Sequence, residues 1–295
     1  MPCLPSTPAA SSHLTSRVAP GISEAYQGDS FAVKALIVFG SGLSMYNAVE
    51  LIILAFMTFA HYHSLYFWSF LISSIGIIPY SLGLLFKSLG VLRSIQSSAK
   101  WGSLVLISVG WVAMVTGQSV VLWSRLHLIV SGEHGQKILL YTKRMIIVNA
   151  VVLHTTTIVV EFGAFGTIDT GRFAKAYDIV EKIQVTGFFL QETILSSIYI
   201  VETIRILQGS LRQKTRAVMR QLLIINVIVI IMDMALLGMQ YASLFLLQTI
   251  SKGVFYSIKL KLELAILSRL VKFVRRSSED FIEMPSTSAS SQGGR

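Results

Sequence analysis

The chain has 295 residues, 53% of them hydrophobic and 14% charged, with a formal net charge of +10 and a mean hydropathy of +0.65. Soluble domains are about 25% charged, so this composition excludes an ordinary soluble protein. The basic residues lie between apolar runs, which makes the bilayer surface, not nucleic acid, their partner. The only cysteine, Cys3, excludes an intramolecular disulfide, a cysteine metal site and thiol catalysis in the core.

Residues 1–30 are rich in Pro, Ser and Ala without an apolar run and read as a disordered N-terminal tail, not a cleavable signal peptide. Residues 31–275 read as one all-α membrane domain, a seven-transmembrane helix bundle. A bilayer core of about 30 Å needs roughly 20 apolar residues in a helix, and seven such stretches follow one another: 35–60, 65–86, 103–123, 145–166, 183–205, 221–240 and 241–260. Pro79, the only proline in a span, should kink the second. The sixth and seventh meet at Gln240–Tyr241 with almost no connection. The seventh ends in FYSIKLKLELAIL (255–267), whose Lys-Leu-Lys-Leu-Glu-Leu alternation imitates a half-buried strand. An open sheet edge is not viable in lipid, so a continuous helix is expected. Lys259 and Lys261 would snorkel to headgroups, Lys259 would pair with Glu263 at i,i+4, and the rest would leave along the bilayer surface. Residues 276–295 read as a disordered Ser-rich tail. There Ser277, three residues before Asp280, is a weak phosphorylation candidate beside Arg275 and Arg276. Lys and Arg in the connecting segments favour the N-terminus outside and the C-terminus in the cytosol.

Polar residues sit near the middle of most spans. These are Asn47 and Glu50 in the first, Gln118 in the third and Asn149, His154 and Glu161 in the fourth. Gln191 and Glu192 follow in the fifth, Asn226 and Asp233 in the sixth, and Lys252 in the seventh. A charge at the bilayer centre carries a penalty of about 2.5–3.5 kcal/mol on insertion scales, so these groups should face inward and find partners. In a sequential ring of helices the fifth, sixth, seventh and first are neighbours. Glu50, Glu192, Asp233 and Lys252, flanked by Asn47 and Gln191, should then converge as three acids on one base. Such a cluster is either a site for a small ligand, cation or proton, or a hydrogen-bonded network that fixes helix packing.

Known chemistries find little footing. The third span has no carboxylate to accompany a Schiff-base lysine, Ser124-Arg125-Leu126 stands where a rhodopsin-class receptor would carry Asp/Glu-Arg-Tyr, and the seventh span lacks Asn-Pro-x-x-Tyr. His154 alone lies well inside a span, too few histidines for a zinc hydrolase. No nucleophile triad or phosphate loop is visible, so the expectation is a non-enzyme without a cofactor.

Several strings occur together: YNAVELIIL (46–54), LYFWSFLISSIGIIPYSLG (65–83), TKRMIIVNAVVLH (142–154), EKIQVTGFFLQETILSSIYIVET (181–203), INVIVIIMDMALL (225–237) and KGVFYSIKLKLELAILSRLV (252–271). In order and spacing the chain resembles, over roughly 30–275, a family of fungal seven-helix integral membrane proteins classed as a domain of unknown function. The resemblance implies one seven-helix membrane domain and brings no reaction, ligand or site residue. The reading is therefore a multi-pass membrane protein, receptor-like or sensor, with a polar intramembrane pocket and a cytosolic signalling partner. The alternatives are a proton- or cation-coupled transporter or channel-like protein, and a scaffold without ligand.

Overall fold

The computed structural model describes residues 31–59, 63–89, 98–130, 132–165, 170–209, 213–242 and 244–282. The tail at 1–30 and the segment 283–295 lie outside the described residues. Seven helices account for nearly all of the described chain: α1 (Phe31–Thr58), α2 (Leu65–Leu89), α3 (Ser98–Ile129), α4 (Gly132–Phe165), α5 (Thr170–Gly209), α6 (Gln213–Tyr241) and α7 (Phe245–Ile282). Every expected span lies largely within one helix. The helices outrun the apolar stretches because helix formation does not stop where the bilayer would, and charged, helix-favouring segments extend α4, α5 and α7 by several turns. Gly132, at a φ of +86°, makes the sharp turn between α3 and α4.

The KLKLEL stretch is helical, inside α7. The break between the last two helices falls just after Tyr241, with α7 beginning at Phe245. α7 then continues past the expected domain end at 275, and Ser277 falls within its last turns. Pro79 lies inside α2, which is helical from Leu65 to Leu89.

Five helices, α1, α2, α3, α4 and α6, are long and apolar enough to cross a membrane. α5 and α7 differ in composition, carrying Glu181, Lys182 and Glu192, and Lys252, Lys259, Lys261 and Glu263. The surface is as apolar as a bilayer requires: Ile53, Val109, Val151, Leu190, Val227 and Met234 are among many large side chains exposed on the outside. Polar groups such as Gln118, Gln191, Glu192, Asn226, Lys259 and Glu263 are buried inside. Exposed aliphatic side chains around a polar interior describe an integral membrane protein, in which helices are joined by packing and interhelical hydrogen bonds.

The helices do not form a simple ring. α1 packs on α2 and α7, α6 on α5 and α7, while α3 occupies the middle and touches α2, α4, α5 and α7. The most extensive interface joins α2 and α3. Phe67, Phe70, Met114, Leu51 and Leu260 form the central apolar core, and a second core of Leu122, Leu126, Leu195, Leu222 and Ile266 closes the end remote from the start of α1. With α3 inside, α7 meets α1, α2, α3 and α6. One face of α7 is thereby enclosed along most of the bundle.

Candidate functional site

Lys252, Tyr256, Lys259 and Glu263 are spaced by four, three and four residues along α7. At 3.6 residues per turn this puts them on one face, and all four are buried. The first and last are about 16 Å apart along the axis at 1.5 Å per residue. Each charge on this face meets its partner from another helix.

The uppermost tier lies at the end of the bundle where α1 begins. Lys252 Nζ donates to Glu181 Oε1 on α5 at 2.9 Å and sits 4.7 Å from the centre of the Trp111 ring on α3. The second oxygen of Glu181, Oε2, is buried with no hydrogen-bond partner among the described residues. Around this pair is a cavity of about 80 Å³, whose wall includes Tyr80, Lys87, Trp111, Glu161, Tyr177 and Glu181. Glu161 Oε2 accepts a hydrogen bond from Ser108 at 3.0 Å. A cavity holds one water from roughly 10–15 Å³ of such space, so this one accommodates a small molecule.

The middle tier is the triad Glu192–Lys259–Asp233, drawn from α5, α7 and α6. Lys259 Nζ donates to Glu192 Oε2 at 2.8 Å and to Asp233 Oδ1, and lies 4.3 Å from the Tyr256 ring centre. Tyr256 donates its hydroxyl to Glu192 Oε1 at 3.3 Å. Asp233 Oδ2 is buried without a hydrogen-bond partner among the described residues. Two carboxylates thus share one ammonium group, which leaves one negative charge unmatched when all three are ionised. A smaller cavity of about 20 Å³ touches Glu192, Asp233, Tyr256, Trp111 and Lys252. Trp111 and Lys252 therefore line both cavities and separate them.

In the lowest tier Glu263 pairs with Arg125 of α3, whose guanidinium lies over the Tyr199 ring at 4.6 Å. Arg125 is 4% exposed and Glu263 fully buried, so the pair closes the charged face of α7 at that end.

The expected cluster is thus divided. Glu192 and Asp233 do meet, but on Lys259. Lys252 lies two turns higher and serves Glu181. Glu50 does not join them: on the α1–α7 contact it accepts from Lys261 at 2.7 Å, and the same lysine donates to Asn47 Oδ1 at 2.7 Å. Asn47 in turn donates to Ser257 at 3.0 Å. Gln191 faces α3 and α4, donating to Ser119 and accepting from Asn149, both at 2.8 Å, the behaviour of an interhelical packing bond. Nor does Lys259 snorkel to headgroups, because it is fully buried. Lys259 and Glu263 face the same way yet take partners from other helices, which prevails over the local i,i+4 pairing. Arg125 lies just past the expected third span, and α3 carries it inward by running on to Ile129. The spacing 252-256-259-263 was the available signal for this face, obscured by the local period-two alternation of 259–264.

No curated protein and no solved structure matches the chain. The model of one family, described as a domain of unknown function, DUF7703, matches residues 28–283. That match takes in all seven helices and every tier of the charged face, and the chain belongs to this DUF7703 family.

Proposed function

We propose that the protein is a receptor-like sensor with seven membrane spans, its N-terminus outside and its C-terminus in the cytosol, and that the larger cavity is its ligand pocket. The reading adds α5 and α7 to the five apolar spans because their charges are turned inward and paired: Lys252 with Glu181, Lys259 with Glu192 and Asp233, Arg125 with Glu263. Paired interior charges carry a much smaller insertion penalty than lipid-facing ones. The observation that carries the receptor reading is the one-sidedness of the site. A cavity large enough for a small molecule lies at one end of the charged face, and a buried ion pair stacked on Tyr199 blocks the other. α7 then runs from the pocket toward the proposed cytosolic end, where the stretches 124–144, 205–220 and the C-terminal segment, basic in sequence, would receive a signalling partner. No catalytic step is part of the proposal.

Two measurements test it. Cys3, the single cysteine, should react with a membrane-impermeant maleimide added to the outside of sealed right-side-out vesicles, and labelling only after permeabilisation reverses the orientation. Reconstituted in liposomes holding a pH-sensitive dye, the protein should carry no proton or cation flux above empty liposomes. A flux abolished by Asp233→Asn in folded protein would overturn the receptor reading in favour of transport. That second reading draws on the unmatched carboxylate of the Glu192–Lys259–Asp233 triad.

A further inference from the structure

Around the two cavities stand four carboxyl groups, Glu161, Glu181, Glu192 and Asp233, against three lysines, Lys87, Lys252 and Lys259. One positive charge is lacking, in surroundings where an unmatched charge is costly. The shortage lies in the triad, since Lys252 balances Glu181 and Lys87 stands one to one with Glu161 on the wall of the larger cavity. Two buried oxygens without a partner among the described residues mark where hydrogen-bond donors belong: Glu181 Oε2 in the uppermost tier and Asp233 Oδ2 in the middle one. Lys252 lies between them and lines both cavities. Its ammonium group already occupies the place that a ligand ammonium would prefer, on a carboxylate at 2.9 Å and over an indole ring at 4.7 Å. Among the described residues no three His, Cys, Asp or Glu side chains gather to hold a metal ion. The acceptors and aromatic rings suit a cation that donates N–H bonds.

We propose that the larger cavity binds a small ammonium ion on Glu181 and Trp111, and that this displaces Lys252 toward Glu192 and Asp233. Lys252 is then a tethered competitor for the site. When the ligand takes Glu181, the freed lysine supplies the missing charge to the triad one tier below. Binding at the pocket is thereby coupled to the charge state of the buried core, with no bond made or broken. The inference rests on the cavity being a ligand pocket and adds to that reading the class of ligand and the moving part.

The probes are methylammonium chloride and ammonium chloride, titrated into full-length protein in nanodiscs with sodium chloride holding ionic strength constant. A ligand that binds the folded state raises the unfolding temperature by mass action. Both ammonium salts should do so saturably where sodium chloride does not. A stronger response to methylammonium identifies an organic amine, and equal responses identify ammonium itself. Glu181→Gln should abolish the effect. Lys252→Met should tighten methylammonium binding by roughly ten-fold or more, because a tethered group competes at millimolar or higher effective concentration. The wild type also supplies a readout independent of that variant's folding. Moving Lys252 off the indole should change tryptophan emission, and Trp111→Phe should remove the change. Saturable binding that leaves Trp111 emission unaltered and is no tighter in Lys252→Met overturns the switch while leaving the pocket standing. No saturable response to either ammonium salt overturns the ammonium site, and the flux measurement judges the receptor reading on its own.

Discussion

Lys259→Met should destabilise the protein by about 3–5 kcal/mol, the range for breaking a buried ion pair from one side. The lysine is fully buried, and each face of its ammonium group is occupied: Glu192 at 2.8 Å, Asp233, and the Tyr256 ring at 4.3 Å. Methionine fills similar space and leaves two carboxylates facing each other without a cation. Asp233→Asn removes the unmatched charge instead, leaves Glu192 and Lys259 as a one-to-one pair, and should stay within about 1 kcal/mol of wild type. Combining Lys259→Met with Glu192→Gln and Asp233→Asn should recover most of the loss, because neutral replacement of a whole buried ionic group is often tolerated. Unfolding midpoints in mixed micelles measure all three. If Lys259→Met and Asp233→Asn cost the same small amount, the triad is not the electrostatic centre of the bundle.

The helices were readable because a bilayer demands long apolar stretches, and α1, α2, α3, α4 and α6 supply them. The pairing of charges was not, for two physical reasons. Depth along a helix depends on where the helix begins, and α7 starts at Phe245 and runs on to Ile282. Lys259 is therefore deep inside, where a span ending near Leu260 would put it at the interface. Neighbourhood depends on which helix is central. A ring would bring Glu50 to the cluster, but α3 occupies the middle, contributes Trp111 and Arg125 to the charged face, and leaves Glu50 with Lys261. Glu181 and Lys252 both appear among the strings that carried the family resemblance, yet 71 residues separate them, and they meet only because α3 holds α5 and α7 on the same interior, where their side chains reach each other. Burial of Glu192 and Asp233 on a common partner was legible in kind, since neither can face lipid, while the identity of that partner required the fold.

Gly110→Ala should be among the most damaging small substitutions in the protein, and should disturb the pocket as well as the fold. α2 and α3 share the most extensive interface, in which Gly76 of α2 faces Gly110 of α3, Gly83 lies against Ser103 and Ile107, and Gly117 lies against Ser73. Small residues at such a contact let backbones approach closely. A Cβ at Gly110 would stand 2.4 Å from the backbone nitrogen of Tyr80 and 2.7 Å from the carbonyl oxygen of Gly76. Both obstacles are main chain, so no rotamer change relieves them and the helices must part. Overpacking of this kind costs about 1–3 kcal/mol, occasionally more. Separation would also move Tyr80, which donates its hydroxyl to the Thr249 carbonyl at 2.9 Å, and Trp111, whose ring centre is 6.0 Å from that of Tyr80. Both line the larger cavity. Gly42→Ala and Gly238→Ala are the controls, because a Cβ at either position meets nothing within 4 Å. Alanine is the better helix former by about 1 kcal/mol, so these two should match or exceed wild type. The comparison needs the three unfolding midpoints and the tryptophan emission of Gly110→Ala. A lowered midpoint with altered emission is expected, and a midpoint equal to that of the two controls would show that the α2–α3 contact is looser than these distances require.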